Sequence, residues 1–106
     1  MKAVLVSFVL GSVFVATPAL ADEALAKKHN CTACHAIDKK VVGPSFRDVA
    51  AKYHDQQGVA QRLEEKVKNG GAGVWGNIPM PPNGAVPDAE VHNIVNWILT
   101  SPDVRG

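Results

Sequence analysis

Apolar residues recur at i, i+3, i+4 and i+7 along 88–100, where Val91, Ile94, Val95 and Ile98 fall on one stripe and predict the clearest helix of the chain. Asp88 and Glu90 stand in its first turn, the end at which a helix dipole favours acids, and Ser101-Pro102 closes it. Trp97 and Leu99 widen the stripe, so this helix is expected to be buried on more than one side and to pack across the first one. A second helix is predicted over 46–53, with Phe46, Val49, Ala50 and Tyr53 in register behind a Ser45 cap. A third runs from about Gly58 to Lys68 through Val59, Leu63 and Val67, and stops at Asn69-Gly70-Gly71. The weakest is 22–29, where helix formers Ala24, Leu25 and Ala26 lie between acids (Asp22, Glu23) and bases (Lys27, Lys28) in dipole order.

The pattern fails in two places. Residues 36–45 have no period and contain Gly43-Pro44, so they read as a loop. From Gly70 to Val86, glycines at 70, 71, 73, 76 and 84 alternate with Pro81 and Pro82, and no regular structure is expected. A loop of that length in a small domain is usually functional. With about four short helices and no convincing strand, the fold class is all-α.

The first 21 residues read differently. Lys2 gives a positive start, 3–15 is almost wholly apolar, and Ala19, Leu20 and Ala21 form an A-x-A site, so 1–21 is expected to be a cleaved signal peptide and 22–106 the mature domain. The apolar run is shorter than the roughly 20 residues of a spanning helix, so no stable membrane insertion is expected. Export places the protein in the periplasm. The remaining domain is small enough to need a staple beyond its own core. Without Lys2 its charges balance, which argues against nucleic acid as a partner.

Chemistry concentrates at Cys31-Thr32-Ala33-Cys34-His35, the C-x-x-C-H spacing of covalent haem c attachment. On a helix both thiols and the imidazole would project from one face, the thiols toward the haem vinyl groups and His35 toward the iron. A redox dithiol would ask for strand and helix alternation, and a zinc site for four ligands at paired spacings that His29, His54 and His92 lack. A disulfide across so short a loop would stabilise little. Those three histidines read as surface residues, with His54 the nearest spare ligand. In the mature domain Met80 is the single methionine, and a thioether on a Gly/Pro loop suits haem iron opposite histidine. Pro44 reads either as a plain turn proline or as a carbonyl that could accept the His35 Nδ1 proton, and Trp75 and Asn83 bring donors to the Met80 loop.

C-T-A-C-H, then V-G-P at 42–44, then G-V-W-G-N-I-P-M-P-P-N at 73–83 together resemble the small bacterial class I cytochromes c of the c-551 and c-552 type. The resemblance implies an all-α fold wrapping one haem c bound through Cys31 and Cys34, with axial ligands His35 and Met80 and Pro44 accepting from His35. It further implies that Trp75 bonds a haem propionate and that Asn83 steadies the methionine sulfur. Where relatives often carry an arginine near the propionates this chain has Lys66, a point charge without a planar fork. The loop is also one residue longer at Gly84. The implied function is single-electron transfer by a non-enzymatic monomer, from a donor such as a membrane cytochrome complex to a terminal oxidase or reductase. The alternative is a haem c enzyme or gas sensor with a labile methionine. Lys27, Lys28, Lys39 and Lys40 flank the motif and are expected to ring the haem edge and steer acidic partners.

Overall fold

The computed structural model describes residues 2–13 and 20–106. Ala19 of the expected cleavage site lies outside the described residues. Five helices follow one another as α1 (Leu20–Lys28), α2 (Phe46–Tyr53), α3 (Val59–Asn69), α4 (Asp88–Thr100) and α5 (Pro102–Arg105), with a hairpin of β1 (Gly71–Gly73) and β2 (Gly76–Met80) between α3 and α4. Among the described residues no helix is long and apolar enough to cross a membrane.

Helix α4 is the spine, packing on α1, α2, α3 and α5. Its stripe is wide enough to feed two separate clusters. Ile94, Trp97 and Ile98 join Ala26, Phe46 and Val104 in one. Val91, Val95 and Leu99 join Val59 in the other, with Leu63, Val67 and Tyr53 packed against it. Among the buried residues α4 alone contributes to both. At the start of α2 the Ser45 hydroxyl accepts from the Asp48 amide at 3.0 Å, satisfying one of the free amides of a helix end.

Three expectations need correction. The stretch after Gly70 is not without regular structure: β1 and β2 pair antiparallel, Gly71 opposite Met80 and Gly73 opposite Gly76, with an irregularity between. Side-chain alternation cannot announce a strand whose residues are Gly-Ala-Gly. Among the described residues the α-helices number five rather than about four, because Pro102 does not only close α4. It opens α5, with the Ser101 hydroxyl accepting from the Asp103 amide at 3.3 Å and proline in the first turn. Finally, Cys31–Ala33 is a 3-10 turn and not a continuing α-helix. Asn30 adopts a left-handed φ of 60°, which asparagine tolerates, and this redirects the chain out of α1. The His35 amide still donates to the Cys31 carbonyl at 2.9 Å, so the three motif residues stay on one turn.

Candidate functional site

One cavity of about 310 Å³ opens between the two clusters, and all seven residues singled out in the sequence line it: Cys31, Cys34, His35, Pro44, Trp75, Met80 and Asn83. Its volume is that of a small-molecule site. The rest of its wall is largely aliphatic, with Leu63, Val67, Ile94 and Ile98 from α3 and α4.

His35 is held by contacts from several residues. Its Nδ1 lies 2.7 Å from the Pro44 carbonyl oxygen, so the Nδ1–H donates and Nε2 keeps its lone pair for a metal. The ring stacks on Phe46 at 5.2 Å between centroids, and Phe46 in turn meets the edge of Trp97 at 5.5 Å. Gly43 also closes in on the imidazole: a Cβ there would stand 2.6 Å from Cε1. The Gly43 and Val42 amides both donate to the Cys34 carbonyl, tying this loop to the motif.

Cys31 and Cys34 form no disulfide with each other and are both half-buried. Burial pushes the Cys31 thiol up from its ordinary value, with the neighbouring Cys34 adding to the shift against a hydrogen bond to its own backbone. Among the described residues no three His, Cys, Asp or Glu side chains gather where a metal ion could sit. The donor set therefore fits a covalently tethered haem: two thiols on one turn, an oriented imidazole, a thioether and an apolar wall.

Met80 ends β2 and is half-buried. Gly70 lies so close to its carbonyl that a side chain there would collide with the backbone at Met80 and Pro82, which explains a glycine at the end of α3. Asn83 does not reach out freely: its Nδ2 donates to the Pro81 carbonyl at 3.0 Å and the Val67 carbonyl at 3.3 Å, tying the segment after Met80 to α3. Trp75 sits in the turn of the hairpin, 43% exposed and edge-on to Tyr53 at 6.5 Å, with the Lys52 ammonium 5.7 Å from its ring. Lys66 lines the cavity, and a Cβ on Gly71 would stand 2.7 Å from its Nζ.

His29 departs from its expected place on the surface. Its side chain is 16% exposed, lines the cavity and meets the Glu90 carboxylate of α4 at 3.2 Å, just past the end of α1 and beside the motif. Spacing within α1 carried no sign of this, because the partner comes from 61 residues away. His54 and His92 are exposed as expected, His54 against Asp55 and His92 against Glu64.

Comparison with known proteins points the same way. Residues 21–102 match the family model for cytochrome c. Cytochrome c-552 of Nitrosomonas europaea is 51% identical over 89% of this chain and 91% of its own. Cytochrome c-551 of Azotobacter vinelandii is 55% identical over 74% of this chain and 94% of its own. The crystal structure of wild-type Nitrosomonas europaea cytochrome c552 superposes with a TM-score of 0.71 at 54% identity, covering 74% of this chain and 96% of that one.

Proposed function

The chain belongs to the cytochrome c family of covalent haem c electron carriers, and from that premise we propose that it is a periplasmic one-electron carrier with iron held between His35 and Met80. In this reading residues 1–21 are removed on export and 22–106 form the working domain. Cys31 and Cys34 form the thioether links. When bound, the haem supplies a reversible ferric and ferrous couple.

The observation that carries the proposal is the 2.7 Å contact from His35 Nδ1 to the Pro44 oxygen in a cavity that also takes in both thiols and Met80. Each residue then has a defined task. Pro44 holds the imidazole in one tautomer and raises its basicity as a ligand. Met80 offers a soft, neutral sulfur, which favours the reduced state and raises the potential. The aliphatic wall from α3 and α4 keeps water out, and low polarity disfavours the extra positive charge of the oxidised state. Lys66 sets a positive charge at the cavity wall, where it would compensate a carboxylate such as a propionate, with Trp75 as a second donor. With His35 and Met80 both as its ligands, the iron would keep no position for a substrate, which supports electron transfer over chemistry on a bound molecule.

Visible spectra of both redox states of the periplasmically matured protein, with Met80→Ala beside it, test this reading. The variant is expected to keep its haem, lose the weak sulfur-to-iron band near the red end and drop in potential. An unaltered spectrum removes Met80 from the iron. Prompt binding of carbon monoxide by the reduced native protein would favour an enzyme or a sensor instead.

A further inference from the structure

We propose that Lys68 is a positioning residue for Met80, a three-way clamp that fixes the segment leaving the ligand loop and so sets how often the sulfur leaves its place. The proposal rests on the reading of Met80 as an iron ligand.

An ammonium has three N–H donors and no acceptor. Lys68 Nζ finds a partner for each: the Gly84 carbonyl at 3.0 Å, the Val86 carbonyl at 2.7 Å and the Asp88 carboxylate at 2.8 Å. These acceptors run along the chain from the ligand loop into the first turn of α4. Lys68 itself stands in the last turn of α3, where the helix dipole favours a cation, and its side chain is 27% exposed. One residue earlier, the Val67 carbonyl takes both the amide and the Nδ2 of Asn83. The last turn of α3 therefore grips the loop at 83, 84, 86 and 88.

On its other side Met80 is already held, since Gly71 pairs with it two residues after α3 ends. The sulfur thus sits between a hairpin on one flank and the Lys68 clamp on the other, and both begin at the C-terminus of α3. Apart from Lys68, the bonds holding 84–87 are few: the Val86 amide to the Asn83 carbonyl, and the Pro87 carbonyl taking the amides of Glu90 and Val91. Carbonyl acceptors aimed at one ammonium stabilise more than neutral pairs do, and losing the donor leaves them to water. An arginine would not substitute, because its planar fork cannot address three acceptors arrayed around one nitrogen.

An outside ligand can reach ferric iron only from the form in which Met80 has moved away, so its apparent affinity scales with the population of that form. Imidazole titrated into the ferric holoprotein, read by loss of the sulfur band, measures this population. Lys68→Met is expected to bind imidazole roughly tenfold tighter than the native protein, the size expected for losing hydrogen bonds to a charged group. Asp88→Asn, at a side chain 90% exposed, takes the negative charge from one arm of the clamp and is expected to shift affinity the same way by a smaller factor. The control is His92→Asn, whose 2.6 Å contact with Glu64 also joins α3 to α4 without touching the loop. It is expected to leave imidazole affinity within about twofold of native, since it does not change the open population.

Equal shifts in Lys68→Met and His92→Asn, or none in Lys68→Met, would overturn the clamp. Should Lys68→Met yield no folded holoprotein, Asp88→Asn decides alone, with native affinity counting against it. If Met80→Ala leaves the spectrum unchanged, the ligand assignment fails and the clamp with it. A changed Met80→Ala spectrum with native affinity in Lys68→Met sinks the clamp only.

Discussion

Gly43 leaves no room for even a methyl group against His35: a Cβ there would stand 2.6 Å from Cε1 and 3.0 Å from Nδ1 of the imidazole, beside the Pro44 carbonyl that this nitrogen contacts. The position is glycine because of close approach. Gly43→Ala must displace the ring or the loop, and overpacking of this kind costs about 1–3 kcal/mol. Denaturant unfolding of the holoprotein should show that loss, accompanied by a changed potential, because the displaced ring also loses its 2.7 Å contact with Pro44. Native stability in the variant would mean that the imidazole has slack.

The same ring is backed by Phe46, which is 3% exposed and lies between His35 and Trp97. Truncating a buried phenylalanine costs about 3–5 kcal/mol. Phe46→Ala is therefore expected to lose most of the stability of so small a domain, and Phe46→Leu much less. Thermal melts followed by far-UV circular dichroism distinguish the two, and equal melting temperatures for both variants would refute the packing role.

What the sequence disclosed follows from how local each signal is. The α4 stripe, the α2 register and the Ser45 cap are written in neighbouring residues, and the structure places α2 at Phe46–Tyr53 and α4 at Asp88–Thr100 as the pattern requires. C-x-x-C-H and Met80 could be found without coordinates because their chemistry is unusual in itself. The hairpin stayed hidden because β1, Gly-Ala-Gly, has no inward and outward faces to alternate. The Glu90 partner of His29 and the carbonyl partners of Lys68 stayed hidden because each contact joins residues distant in the chain.

The Glu90 pair has a pH signature. A hydrogen bond from the Lys28 ammonium, aided by that charge and by His29 and opposed by partial burial, holds the Glu90 carboxyl below its ordinary 4.5. A carboxylate whose folded value is depressed stabilises above its unfolded value, and that stabilisation fades as pH falls through the folded one. Urea midpoints for native and Glu90→Gln protein should therefore differ at neutral pH and converge as pH drops below about 4. A constant difference across that range would show that the charge carries no part of it.

The four lysines around the motif are no longer equivalent. Lys27 pairs with Glu23 at 3.4 Å and Lys28 with Glu90 at 3.2 Å, whereas no acidic partner falls within reach of Lys39 or Lys40 among the described residues, and Lys40 lines the cavity. Unpaired charge at the cavity mouth steers an acidic redox partner better than charge already compensated. Lys40→Glu should slow electron transfer to such a partner and flatten its decline with added salt, while Lys27→Glu should do so less. Equal effects in stopped-flow measurements would return steering to net charge alone.

Among the described residues α4 alone supplies buried side chains to both core clusters, and the cavity with its attachment thiols is lined from both. Neither cluster alone is large. Wall residues such as Val74 and Ile78 are 52% and 65% exposed. A domain of this size buries too small a share of its surface to stand without a staple. Cys31→Ala/Cys34→Ala, produced without haem, is accordingly expected to be largely unfolded by circular dichroism and to show no cooperative melt, while the loaded native protein melts sharply. A cooperative transition in the double variant would mean that α4 and its two clusters suffice, and that the prosthetic group is carried by the fold without helping to hold it.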